Sequence, residues 1–582
     1  STLSSIILRN TNINKMQCDS MYSQPDTSKM DCFASELSEP YLNRIMGDSN
    51  VEYQPPQVNS LIKKSELVNF QELDNGTIPI HFWSSYGPTT AVGDCNGDGL
   101  EDIWVGSSYD QEGWETGIKQ SVGQTFLFLN QGSGSFEDIT LDSGLLFRNS
   151  TYLGASWADY DNDGDLDIYL SNNGFHSLDI NTFFPNKLFS NDGHCKFTDV
   201  TTEVGLGNIG HSSSSAWSDY DHDGDLDLHS TNVGQLIEEN GEAVIESDIL
   251  YRNQLVESGV ARFIDVTEES GGIYGGIFKP LDNESISVNG PFSWMPSSAS
   301  NPSSNALLWQ LYEENEDAFE QGTSISWSSL FIDLNNDGFE DLFVATDFGR
   351  SAFYKNNGDG TFILNTFESN LSAFGTAMGL DAGDVDGDGD LDICQTNLGP
   401  NYIYKQQESN TYVEASLESG LNLGISAESV SWDCSIIDID LDGDLDIWFG
   451  SGNLNPFFSF SPNSIYLNNG DGVFGEVVLN SDLINPMSKT MGSAWCDFDL
   501  DGDLDLMVGD SNFGVTYYEN DASQRDGAEW IAIDVIEPYG DANISLTSVG
   551  AKVDFELSNG KLIRQIVKIG SGFSGSKDTT IH

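Results

Sequence analysis

Apolar runs of four to six residues, broken by clusters of Asn, Asp and Gly, recur along most of the chain. Runs such as LFLN, LFSN and IYLN each lead through an Asn/Gly-rich turn into a second aromatic run. That alternation predicts strands joined in hairpins, not helices. The paired aromatics are Phe128/Phe136, Phe189/Phe197, Tyr251/Phe263, Tyr354/Phe362, Tyr404/Tyr412 and Tyr466/Phe474, separated by 8 residues in every pair but the third, where the separation is 12.

A nine-residue acidic pattern precedes each hairpin. Its seven copies are DCNGDGLED from Asp94, DYDNDGDLD from Asp159, DYDHDGDLD from Asp219, DLNNDGFED from Asp333, DVDGDGDLD from Asp384, DIDLDGDLD from Asp438 and DFDLDGDLD from Asp497. The starts lie 65, 60, 114, 51, 54 and 59 residues apart. The residue after each copy is Ile103, Ile168, Leu228, Leu342, Ile393, Ile447 or Leu506, so each loop leads into a buried strand. A repeat of this length with about four strands is one propeller blade.

The predicted fold is therefore all-β: a seven-bladed β-propeller over residues 67–522, then a small C-terminal β domain over 523–582, with residues 1–66 an unassigned extension. The seventh unit has a first aromatic strand near Tyr518 but no second one. Phe70 lies 24 residues before Asp94, the spacing of a blade's last aromatic from the next acidic loop, and is expected to close the ring. The long gap marks an insertion at about 264–332, rich in Gly, Ser, Pro and Asn, as a candidate ligand-contacting loop; Trp294 is its first candidate for an exposed contact.

Positions 1, 3, 5 and 9 of the pattern are Asp or Asn in all seven copies and position 6 is always Gly. A hard divalent cation takes six to eight oxygens, and closely spaced carboxylates on a tight Gly turn supply them from one short segment. The expected calcium ligands are Asp94, Asn96, Asp98, Leu100 and Asp102; Asp159, Asp161, Asp163, Asp165 and Asp167; Asp219, Asp221, Asp223, Asp225 and Asp227; and Asp333, Asn335, Asp337, Phe339 and Asp341. The remaining three sets are Asp384, Asp386, Asp388, Asp390 and Asp392; Asp438, Asp440, Asp442, Asp444 and Asp446; and Asp497, Asp499, Asp501, Asp503 and Asp505. Position 7 varies between Leu, Phe and Asp, which fits a ligand that offers its backbone carbonyl. An EF-hand would need a Glu at position 12 and flanking helices, and neither is present.

Charge extends the picture. Against 23 Lys+Arg stand 92 Asp+Glu, a net charge of -69 that excludes binding to a nucleic-acid backbone. The seven loops account for 33 acidic residues, and the other 59 make an acidic surface. No apolar run is long enough to span a membrane, and the opening STLSSIILRN lacks the basic start of a signal peptide, so a secreted form would show mature residues here. The seven Cys form no CxxC pair; Cys18 and Cys32 can close a short loop, while the other five are expected to be small buried side chains. Trp157, Trp217, Trp327, Trp432 and Trp495 recur just before the loops and read as core packing. No HExxH, GxSxG or phosphate-binding Gly loop is present, and no catalytic residue is assigned.

The repeats resemble the FG-GAP/VCBS repeats of integrin-alpha-like propellers over about residues 67–522, and the tail from WIAIDVIEP to KDTTIH resembles the ASPIC/UnbV domain of cartilage-acidic-protein-like proteins, one strand short at His582. The resemblance implies up to seven calcium ions, an extracellular or cell-surface location, and a role in adhesion toward a protein or glycan ligand. Two alternatives stay open: a filament or surface-assembly subunit in which the apolar STLSSIILRN adds a strand to a neighbour's C-terminal domain, and a polysaccharide lyase or hydrolase.

Overall fold

A computed structural model describes residues 5–9, 85–109, 125–147, 152–173, 185–207, 210–232, 236–239, 242–245, 247–276, 325–347, 349–372, 374–407, 410–421, 429–452, 462–477, 489–510, 514–520, 522–524, 530–539, 544–547, 549–556, 562–570, 572 and 579–582. Seven antiparallel sheets follow one another along the chain. Blade 1 is Ser85–Gly93, Asp102–Tyr109, Thr125–Asn130 and Phe136–Asp138, and blade 2 is Tyr152–Ala158, Asp167–Asn172, Lys187–Asn191 and Phe197–Asp199. Blades 3 to 6 start at Ser215–Ser218, Ile325–Ile332, Leu380–Gly383 and Ser431–Ile437, and each has four strands. Blade 7 comprises Thr490–Cys496, Asp505–Asp510 and Gly514–Tyr518 among the described residues. Phe70, Trp294, Cys18 and Cys32 lie outside the described residues.

Each blade is a flat apolar layer that cannot bury both faces alone, so the core forms between blades. Seven clusters of buried side chains fill the seven interfaces, including the one between blades 7 and 1, where Val92, Ile103, Phe128 and Phe136 meet Cys496, Phe498, Met507 and Tyr517. Phe136 packs edge-on against Phe498 and Tyr517 at 5.8 and 6.2 Å, so the ring closes. The recurrent Trp157, Trp217, Trp327, Trp432 and Trp495 are all buried, as core packing requires. Five innermost strands carry a register irregularity at the same place, for example between Tyr152 and Gly154 and between Ser431 and Asp433. A β-bulge there increases the twist of a strand that must splay outward from a crowded axis.

One expectation is corrected. Cys95 and Cys195, read from the sequence as separate buried thiols, form a disulfide with Cα atoms 5.1 Å apart, whereas Cys394, Cys434 and Cys496 are buried thiols. Cys95 occupies position 2 of the first loop and Cys195 the hairpin turn of blade 2, 100 residues later, so the bond joins neighbouring blades.

The C-terminal region adds the strands Ala532–Tyr539, Ile544–Thr547, Lys552–Glu556 and Leu562–Ile566. The strand Ser5–Arg9 pairs antiparallel with the first of these, from Ser5 opposite Ile536 to Arg9 opposite Ala532, within one chain. Residues 568–570 and 572 lie across the innermost strands: Trp217 N–H donates to Ile569 O, Gly572 N–H donates to Leu380 O, and Ser328 Oγ donates to Gly572 O. Lys568 Nζ pairs with the buried carboxylate of Asp381. This segment touches blades 3, 4 and 5 at the axis of the ring, and a Cβ on Gly572 would lie 2.1 Å from Asp433 Oδ1 of blade 6. No helix among the described residues is long and apolar enough to cross a membrane.

Candidate metal centres on the acidic loops

The first and second strands of every blade are joined by the acidic loop, so the repeat places all seven loops at equivalent points around the ring. Within each loop the chain turns twice through the left-handed region. Position 4 has φ of 54 to 71° in Gly97, Asn162, His222, Asn336, Gly387, Leu441 and Leu500, and the invariant Gly at position 6 has φ of 86 to 103°. Position 6 needs Gly because a side chain there would be strained; position 4 tolerates Asn, His and even Leu at a cost.

Hydrogen bonds to carboxylates hold this shape. The position-1 Asp accepts the N–H groups of positions 5 and 6, as Asp159 does from Asp163 at 3.0 Å and Gly164 at 2.9 Å, and the same pair forms in all seven loops. The position-5 Asp accepts the N–H of position 7 in all seven. The position-9 Asp is the deepest: Asp102, Asp167, Asp227, Asp341, Asp392, Asp446 and Asp505 are buried. Asp446, for example, accepts Ile439 N–H at 3.0 Å and Asn468 N–H at 2.8 Å.

Asn468 belongs to a device the sequence reading overlooked. At or within two residues of the end of each blade's third strand stands Asn130, Asn191, Asn253, Asn356, Gln406, Asn468 or Asn520. Its side-chain amide donates to the position-2 carbonyl of the preceding blade: Asn191 to Cys95 O, Asn253 to Tyr160 O, Asn356 to Tyr220 O, Gln406 to Leu334 O, Asn468 to Val385 O and Asn520 to Ile439 O. Asn130 of blade 1 reaches Phe498 O of blade 7 at 2.9 Å and completes the circle. The recurrent Asn before each turn was visible in the sequence; its direction across the interface was not.

Position 3 behaves differently. Asp161 Oδ1, Asp221 Oδ1 and Asp386 Oδ1 are buried carboxylate oxygens that no donor meets. In the same three loops, oxygens of positions 1, 3 and 9 lie within 4.8 Å of one another, as in Asp159–Asp161–Asp167, Asp219–Asp221–Asp227 and Asp384–Asp386–Asp392. These oxygens belong to residues far from their usual acidity. Burial pushes Asp159 and Asp219 up to about 7, Asp384 and Asp497 to about 6, and Asp438 to about 8, and neighbouring carboxylates add to the shift. Converging carboxylate oxygens in a low-dielectric turn, the position-3 oxygen among them met by no donor, suit a hard cation such as calcium, which would be held by positions 1, 3, 5 and 9 and the carbonyl of position 7. A further close group, Cys95, Asp102 and Cys195, is explained by the disulfide.

A hydrolase-like arrangement elsewhere is structural. His229 Nδ1 lies 2.9 Å from Ser329 Oγ and its Nε2 lies 3.7 Å from Asp248 Oδ2. All three are fully enclosed, and burial drives the His229 imidazole down to about 3. The equivalent pair in blade 6 to 7 is Trp448 Nε1 donating to Ser493 Oγ at 3.0 Å, so this is a recurring inter-blade contact.

Comparison with known proteins agrees with the repeat. The family described as FG-GAP-like repeat matches residues 94–170, 333–395 and 438–508, each stretch running from one acidic loop through the next. The chain thus carries FG-GAP-like repeats on a seven-bladed propeller. No curated protein matches by sequence. Similar solved structures include an Agrocybe aegerita lectin that recognises non-reducing terminal N-acetylglucosamine, at 16% identity and TM-score 0.35, covering 77% of this chain and 95% of that one. The exotype rhamnogalacturonan lyase YesX aligns at 12% identity and TM-score 0.33 over 85% of this chain and 73% of that one. A Trypanosoma rangeli sialidase aligns at 12% identity and TM-score 0.32 over 78% and 57%.

Proposed function

We propose that the protein is a secreted, calcium-loaded binding module whose propeller presents an adhesion surface to an extracellular protein or glycan. The observation that carries the calcium reading is the set of buried, donorless oxygens of Asp161, Asp221 and Asp386 inside loops whose other carboxylates are already used to shape the turn. A dication would satisfy those oxygens and remove the repulsion among as many as five carboxylates in one loop. The Cys95–Cys195 disulfide suits an oxidising compartment. The likeness of the tail to ASPIC/UnbV domains of cartilage-acidic-protein-like proteins belongs to the same reading. Calcium here is structural: it sets the loop edges, while ligand contacts come from the blade-connecting loops and the 264–332 insertion. Isothermal titration of chelator-stripped protein tests this, with several equivalents of calcium bound expected; heat no different from a buffer blank overturns it. Glycan arrays run with and without calcium then identify the ligand class.

The pairing of Ser5–Arg9 with Ala532–Tyr539 favours a second reading, a surface assembly in which that strand is exchanged between copies. Sedimentation of the full chain and of a chain lacking residues 1–9 separates the two. Assembly lost with the strand supports exchange, and monomers in both leave the strand an internal one.

A further inference from the structure

We propose that the fourth loop, Asp333 to Asp341, is the one acidic loop of the ring that holds no cation, because Lys552 of the C-terminal sheet takes its place. This rests on the calcium reading of the other loops. Lys552 Nζ lies 2.9 Å from Asp333 Oδ2, 3.0 Å from Asp333 O and 2.6 Å from Asn336 Oδ1. Among the described residues, no other position-1 carboxylate pairs with a lysine or arginine.

The rest of the loop is satisfied as well. Asp337, at position 5, pairs with Lys355 Nζ at 3.5 Å. Both oxygens of Asp341, at position 9, accept from Asn335 Nδ2, at 3.2 and 2.9 Å. Position 3 is therefore an amide aimed at its own loop partner, and none of the donorless buried oxygens belongs to this loop's ligand positions. Three ligand carboxylates face two ammonium groups, where the second, sixth and seventh loops bring five carboxylates each. A dication entering here would meet two positive charges at contact distance and little residual negative charge.

Loop 5 shows that one lysine is not enough. Lys405 sits 3.4 Å from Asp386, yet Asp386 Oδ1 stays without a donor and Asp384 accepts only backbone N–H groups. The C-terminal sheet also reaches loop 5, where Arg564 Nη1 donates to Gly389 O, but at loop 4 it brings an ammonium group onto the position-1 carboxylate, and a Cβ on Gly550 would lie 2.1 Å from Glu340 Oε1, so that turn rests on position 8 of the loop. Loop 4 thus serves as the seat of the C-terminal sheet, with an ammonium group in the cation's role.

The test is a set of anomalous difference maps from crystals of the full chain soaked in terbium. Wild type is expected to show ion peaks in other loops and none between Asp333 and Asp341. The Lys355→Met/Lys552→Met variant is expected to gain a peak there. A wild-type peak coordinated by Asp333 and Asp341, with Lys552 swung away, would overturn the inference while leaving the calcium reading intact. Maps with no peak in any loop would defeat the calcium reading and the contrast with it. Should the double variant not fold, the wild-type map alone decides.

Discussion

Positions 1 and 3 of the acidic loop are both aspartate in five copies, yet they meet different neighbours. Asp159 accepts two backbone N–H groups and shapes the turn, whereas Asp161 Oδ1 meets no donor. Asp161→Asn is therefore expected to lower the number of bound calcium ions by one and to leave stability in chelator nearly unchanged. Asp159→Ala should cost about 1–3 kcal/mol even in chelator, because it removes the acceptor of two backbone N–H groups that hold the turn. Calcium titration paired with urea unfolding of each variant checks both. The carboxylates also set a pH dependence. In chelator the folded values of about 6 to 8 for Asp159, Asp219, Asp384, Asp438 and Asp497 lie above the ordinary value of 3.8. The folded chain then holds extra protons, so this stability is fully present below about pH 4 and is lost as pH rises through 6 to 8. Bound calcium would hold the same groups ionised and reverse the trend, so the rise in Tm on adding calcium is expected to grow with pH. Thermal unfolding from pH 4 to 8, with calcium and with chelator, shows whether the two curves diverge.

At the scale of the element, blades are tied sideways by the Asn or Gln at or near the end of each third strand. Asn130→Ala would leave the buried carbonyls of Glu101 and Phe498 without that donor at the ring closure, a loss of about 1–3 kcal/mol in urea unfolding. The Cys95–Cys195 bond closes a loop of 100 residues, and replacing both by Ser should cost about 4 kcal/mol by loop entropy. Strands and loops were readable from local pattern: the aliphatic residue after each loop is buried in every blade, as Ile103, Ile168 and Leu228 show. The disulfide was not readable, since Cys95 and Cys195 sit 100 residues apart and meet only once blades 1 and 2 stack. Nor was the unequal use of the aspartates. In loops 2, 3 and 5 one oxygen of position 3 is left without the donors that meet positions 1, 5 and 9, a difference that the one-letter pattern does not display.

For the whole molecule, the tail makes the ring more than a sum of repeats. Residues 568–570 and 572 bridge the inner strands of blades 3, 4 and 5, and Lys568 neutralises Asp381, a buried charge on the axis. Lys568→Met should cost about 3–5 kcal/mol, because it strands that carboxylate, and Asp381→Asn should recover part of the loss; denaturant unfolding of the single and double variants checks this. The net charge of -69 acts at the same scale: without cations the loops add their repulsion to an already acidic surface. If calcium completes this fold, calorimetric unfolding of the full chain at pH 7.5, in millimolar calcium and in excess chelator, will register it. A single cooperative transition is expected to move down by tens of degrees on chelation and to return when calcium is restored. Identical transitions in the two conditions would contradict it.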